Sequence, residues 1–197
     1  MLKELMTRTR TVRRFAASRR LTRKQLVDLV DLARLAGSAR NAQVLKFMPI
    51  IDADRCAKLF PLLAWAGYLP HWPGPAEGER PPAYLLCLQD NSLHSGPEDE
   101  VCVDLGIATQ NILLGAAEQG VYGCRIKAFS PKIHTLLDLE ERYRVLLVLA
   151  LGYPQETVVM EAVAEDGSIR YWHDDAGVHH VPKRSLEELL LPEPEQD

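Results

Sequence analysis

With 197 residues, 47% of them hydrophobic and 25% charged, the chain has the composition of one folded domain and not of a disordered polyelectrolyte. A net charge of −4 argues against a general polyanion binder, and no apolar run approaches the ~18 residues needed to cross a bilayer. The expectation is a cytoplasmic protein with no membrane or nucleic-acid partner, and a single domain over residues 1–191 followed by an acidic tail, 192–197.

Charge is unevenly spread at the start. Arg8, Arg10, Arg13, Arg14, Arg19, Arg20, Arg23 and Lys24 form a run with no acid between them. A transit peptide has this composition, but Glu4 and the well-formed helix start that follows weigh against one. Thr22 as N-cap with Gln25 three residues on makes a capping box, and Leu21 can staple against Leu26. The helix is expected to run to about Ala36 and to stop at Gly37.

Phe47 to Ile51 reads as a strand in which Pro49 cannot donate to a ladder, so an edge or a bulge is implied. The Leu69–Pro82 stretch is rich in proline and is expected to be a loop or a lid. Ala83 to Gln89 is an apolar strand, Asp90 to Glu100 a polar turn region, and Asp104 to Gly120 a central helix with Asp104 capping its head. Val145 to Leu151, nearly uninterrupted in its apolar character, suits the middle of a sheet. Ile169 to Val181 is predicted to be a hairpin around residues 174–177, with a short helix from Ser185 to Leu190 after it. The order mixes helices and strands without βαβ alternation, so an α+β fold is expected.

Cys56, Cys87, Cys102 and Cys124 contain no C-x-x-C pair and are read as buried, reduced thiols. His173, Asp174, Asp175, His179 and His180 fit no standard metal-ligand spacing, and no metal site is assigned to them. Neither G-x-G-x-x-G nor G-x-x-x-x-G-K-[ST] occurs.

Two constellations carry candidate chemistry. Arg10-Thr11-Val12-Arg13-Arg14-Phe15 sets guanidinium groups around a hydroxyl, a combination that suits a phosphate and equally a solvated basic face. Ser38-Ala39-Arg40-Asn41-Ala42-Gln43 offers side-chain amides able to read the edge of a planar heterocycle, and it is also what an ordinary polar loop contains.

Taken in order, the R-[ST]-x-R-x-F element, the helix and S-x-x-N-x-Q resemble the opening of the nitroreductase family. Gln110 to Ala117, Ile126 to Phe129 and Leu151-Gly152-Tyr153-Pro154 continue the likeness. The resemblance implies a mainly antiparallel or mixed sheet flanked by helices, an intertwined homodimer, and bound FMN reduced by NADH or NADPH. Electrons would then pass to a small electron-poor acceptor such as a nitroaromatic or quinone. It assigns Arg10, Thr11 and Arg13 to the phosphate, ribityl chain and pyrimidine end, and Lys183 and Arg184 to the phosphate. Ser38, Ala39, Asn41 and Gln43 would come from the partner subunit, and Ile126, Lys127 and Ala128 would lie along the isoalloxazine. No catalytic acid, base or nucleophile is implied, because the flavin carries the chemistry.

Thr9, Gly37 and Lys127 depart from the family pattern, standing where Arg, Pro and an acid are frequent. A specialised relative acting on a flavin, a dehalogenation substrate or a ring oxidation is the alternative. A nucleic-acid-binding module built on the Arg-rich start is a further one.

Overall fold

The structure, a computed structural model, describes residues 2–93 and 96–193. Helix α1 (Leu2–Arg8) leads to an extended segment, and α2 (Arg23–Arg34) follows. The capping box forms as expected: Thr22 Oγ1 accepts the Gln25 N–H at 3.2 Å, and Gln25 Oε1 accepts the Thr22 N–H at 2.9 Å. The helix ends two residues short of the expected Ala36, with Leu35 at its C-cap still right-handed, and Gly37 is not left-handed. The turn is made further on, at Arg40, Asn41 and Gln43.

Strands β1 (Leu45–Ile50), β2 (Ala83–Asp90), β3 (Tyr122–Ile126) and β4 (Tyr143–Gly152) form an antiparallel sheet in the order β1-β2-β4-β3. Pro49 lies on an edge strand, where a missing donor is tolerated. Every residue of β2 is buried, and the period-2 alternation of a strand divides them between two cores. Leu85 and Cys87, with Leu149 and Leu151 of β4, face Leu26, Leu29 and Ile112. Tyr84 and Leu86, with Val148 and Ala150, face Phe15, Leu59 and Ile133. Helices α2 and α4 (Glu98–Glu118) thus cover one face, and α3 (Ala53–Leu59), α5 (Lys132–Leu136) and the N-terminal segment cover the other.

Helix α4 starts six residues before the expected Asp104. Its first turn holds Glu98, Asp99 and Glu100, which favour the positive end of the helix dipole but read in sequence as a polar turn. Asp104 therefore lies within the helix and does not head it.

A second, smaller sheet has the order β5-β7-β6, from β5 (Val158–Ala162), β6 (Trp172–His173) and β7 (His179–Lys183). The expected hairpin pairs β6 with β7, while β5 runs parallel to β7. Helix α6 (Leu186–Leu189) follows, capped by Ser185. In the proline-rich stretch, the carbonyls of Gly78 and Glu79 accept the N–H groups of Ala17 and Phe15, which pins its end to the N-terminal segment. Cys56, Cys87 and Cys124 are buried, and burial raises their thiol pKa values, to about 11 for Cys56 and about 12 for Cys87. Cys102 is exposed, contrary to expectation, because it lies on the outer side of α4. Among the described residues no helix is long and apolar enough to cross a membrane.

Candidate functional site

Between α1 and α2 the chain lies along β3. Val12 and Phe15, both buried, anchor it, leaving Arg10, Thr11, Arg13 and Arg14 outside the core. Thr11 bridges Gly123 in parallel, and the Val12 N–H donates to the Gly123 carbonyl at 3.2 Å. Gly123 is required there, since a Cβ would stand 2.7 Å from the Ala150 carbonyl oxygen and 2.9 Å from Leu113 Cδ2.

Arg10 donates to the Met6 carbonyl at 2.7 Å and lies against the sulfur of Met160. Its Nε is buried without a hydrogen-bond partner, and burial alone holds its pKa below the usual arginine value. A cation with an unused donor and, among the described residues, no ion-pair partner suits an anionic ligand. Met160 is paired in register with Val181, and two steps further along that pairing, Ala162 with Lys183, Lys183 lies on the same strand ribbon. Lys183 is exposed and makes no ion pair among the described residues, whereas Arg184 is held by Glu188 at 3.1 Å.

Arg13 turns the other way. Its guanidinium donates to His179 Nε2 at 3.1 Å and lies 4.7 Å from the centroid of the Tyr171 ring. Its backbone N–H and that of Arg14 both donate to Glu156 Oε1. Because arginine can only donate, the neutral His179 carries its proton on Nδ1, and that proton points to His173 Nε2 at 3.0 Å. Burial first, and then the charge of Arg13, lowers the His179 pKa to about 4. Burial also lowers that of His173. Sequence reasoning missed Glu156, a single acid in a connecting loop with no motif around it.

The Ser38–Gln43 loop is strained. Arg40, Asn41 and Gln43 have φ of 51°, 54° and 49°, a left-handed region that non-glycine residues occupy at a cost and that recurs at functional sites. Asp104 Oδ1 accepts the Ala39 N–H at 2.9 Å, Arg40 forks onto the Glu100 carboxylate, and Ser38 Oγ accepts the Gln43 N–H at 3.3 Å. A groove of about 350 Å³ opens beside the loop, lined by Ala33, Ser38, Gln43, Phe47 and Ala108. Asn41 is exposed.

At the end of β3, Ile126 is buried in the second core, so it can offer a ligand only its backbone. Lys127 and Ala128 are exposed, and the Ala128 carbonyl accepts the Ala64 N–H at 2.9 Å. Arg125 reaches across to α4, donating to Thr109 Oγ1 and Gln110 Oε1, both at 2.9 Å.

Arg10 and Thr11 thus lie beside the start of β3, with Met160 of the second sheet against Arg10, while the Ile126–Ala128 loop lies at the other end of β3, against Leu63 and Ala64. The Ser38–Gln43 loop leads into β1, at the opposite edge of the four-stranded sheet. Three strand spacings, roughly 14 Å, separate the two edges.

The family model for the nitroreductase family matches residues 78–153. A protein of Archaeoglobus fulgidus, provisionally named NADH dehydrogenase/NAD(P)H nitroreductase, is 26% identical over 156 residues, 77% of this chain and 84% of that one. The fold is similar to that of the NADPH:FMN oxidoreductase of Vibrio harveyi, solved with NAD+, at a TM-score of 0.67 and 20% identity over 99% of this chain and 78% of that one. It is also similar to a nitroreductase family protein of Clostridium difficile, at a TM-score of 0.63 and 19% identity over 98% of both chains. The match over residues 78–153 and the shared fold agree with the resemblance to the nitroreductase family read from the sequence motifs.

Proposed function

We propose that the protein is an FMN-dependent oxidoreductase that takes electrons from NADH or NADPH and passes them to a small electron-poor acceptor, a nitroaromatic or a quinone. The observation that carries this reading is Arg10, a partly desolvated cation with an unbonded Nε and, among the described residues, no ion-pair partner, lying against Met160 on the ribbon that ends in Lys183. Arg10, Thr11 and Lys183 would hold the FMN phosphate, and the exposed backbone after Ile126 would lie along the ring. When bound, FMN supplies the electron-transfer chemistry; the chain supplies position and charge. Lys127, a cation at a place where family members often carry an acid, would favour extra negative charge on the ring.

The distance between the two sheet edges supports a site shared between two copies of the chain. The Ser38, Ala39, Asn41 and Gln43 of one protomer would then meet the Arg10 segment of the other. The exposed apolar side chains of Val103 and Ile107, on the outer side of α4, suit such an association.

Purification of the full chain tests the reading. A yellow protein that releases FMN on denaturation, and whose visible band bleaches with NADH or NADPH, is the expected result. A colourless protein that added FMN does not reconstitute would overturn it.

A further inference from the structure

We propose that Glu156, His173 and His179 form a binding site for a divalent transition-metal ion of the zinc class. The inference is independent of the flavin reading. The three side chains offer ligand atoms that all lie within 4.8 Å of one another. Three strands of chain supply them: Glu156 just before β5, His173 on β6 and His179 on β7, the two histidines being direct cross-strand partners. In a tetrahedral zinc site with bonds near 2.0–2.1 Å, neighbouring ligand atoms stand roughly 3.3 Å apart. His179 Nδ1 and His173 Nε2 are 3.0 Å apart, and His173 Nε2 and Glu156 Oε2 are 3.8 Å apart, which brackets that value.

The remaining contacts hold the ligands in place. Glu156 Oε1 is engaged by the backbone N–H groups of Arg13 and Arg14, leaving Oε2 to face His173. The Glu156 side chain is 2% exposed and His179 is buried, while His173, at 18%, gives an ion access from solvent. Two histidines and one carboxylate leave a coordination position for water.

Arg13 is the competitor. It donates to His179 Nε2, and a metal on Nδ1 would move the imidazole proton to Nε2, where it would point at the guanidinium. Metal-bound histidines normally donate that proton to an acceptor. Metal binding therefore requires Arg13 to withdraw, and an acceptor in its place should tighten binding.

Calorimetric titration of the chelator-treated full-length protein with Zn(II), with Co(II) difference spectra as a second readout, tests the site. One equivalent is expected, with visible Co(II) bands typical of nitrogen and oxygen ligands. Two variants should weaken binding by at least roughly tenfold. They are His173→Phe, which keeps an aromatic ring, and Glu156→Gln, which keeps an oxygen for the Arg13 and Arg14 N–H groups. Arg13→Gln should bind roughly tenfold more tightly, because its amide oxygen can accept from Nε2. No binding by the wild type, or an affinity that both weakening variants leave unchanged, overturns the site. An Arg13→Gln protein that binds no more tightly overturns the competition. Thermal melting of each variant separates lost binding from lost folding.

Discussion

Asp104 Oδ1 accepts the backbone N–H of Ala39 at 2.9 Å, so a carboxylate buried in the second turn of α4 sets the loop that precedes β1. Replacing it by alanine leaves that N–H without its partner. A loss of about 1–3 kcal/mol in urea denaturation is expected for Asp104→Ala. Asp104→Asn, which retains a carbonyl oxygen, should recover much of that loss.

Arg10 and Lys183 are the two cations best placed for a phosphate. Arg10→Ala and Lys183→Ala should each weaken FMN binding by about 1.5–3 kcal/mol, read from quenching of flavin fluorescence on titration. Arg184→Ala should do less, because Glu188 already holds that guanidinium. Unchanged affinity in both of the first two variants would refute a shared phosphate site.

If Asn41 acts across an interface between two copies, Arg10→Ala and Asn41→Ala disable different contributions to each site. Mixed dimers of the two variants would contain one site lacking both side chains and one site with both. Flavin retained per mixed dimer should therefore exceed that of either parent, by up to one full site. Equal retention in the mixture and the parents would contradict the shared-site reading.

Gly123 admits α4 and the neighbouring β4 close to β3. A methyl group at that position would meet Ala150 O at 2.7 Å, Leu151 Cδ2 at 2.8 Å and Leu113 Cδ2 at 2.9 Å, two side chains and one backbone atom. Gly123→Ala should destabilise the fold by about 1–3 kcal/mol in denaturant titration, the scale of an overpacked core.

Asp90 ends β2 and accepts from the Ser92 hydroxyl and N–H, with Arg142 beyond. The Ser92 hydroxyl bond is the main cause that lowers its pKa, and Arg142 adds to it. The folded-state value lies below the unfolded one, so its contribution is present above roughly pH 4 and is lost as pH falls through the folded value. Asp90→Asn should lose stability relative to wild type at neutral pH, with the two proteins converging under acid, as followed by urea midpoints across pH 2–7.

Local rules made much of the fold legible. The Thr22–Gln25 capping box, the apolar run that became β4 and the hairpin at residues 174–177 each depend on neighbours a few positions apart. Reading failed where distant parts of the chain decide the outcome. The acids at Glu98, Asp99 and Glu100 looked like a turn because their partner is the helix end itself, and shifting the helix start moved Asp104 from a cap to a brace. In the candidate site, Arg10 and Lys183 were identifiable from their order along the chain. That Arg13 faces His179 was not, since the two are 166 positions apart and only the second sheet brings them together. Glu156 had no sequence signature at all.

Pro49 sits on the free edge of β1, opposite Leu85. An incoming strand would meet a position with no N–H to offer, and the ladder would break there after a few residues. The open border of the main sheet is thereby a poor template for strand addition. A second copy recruited by this chain would have to dock through its helices and loops, and runaway edge-to-edge stacking is blocked at that border.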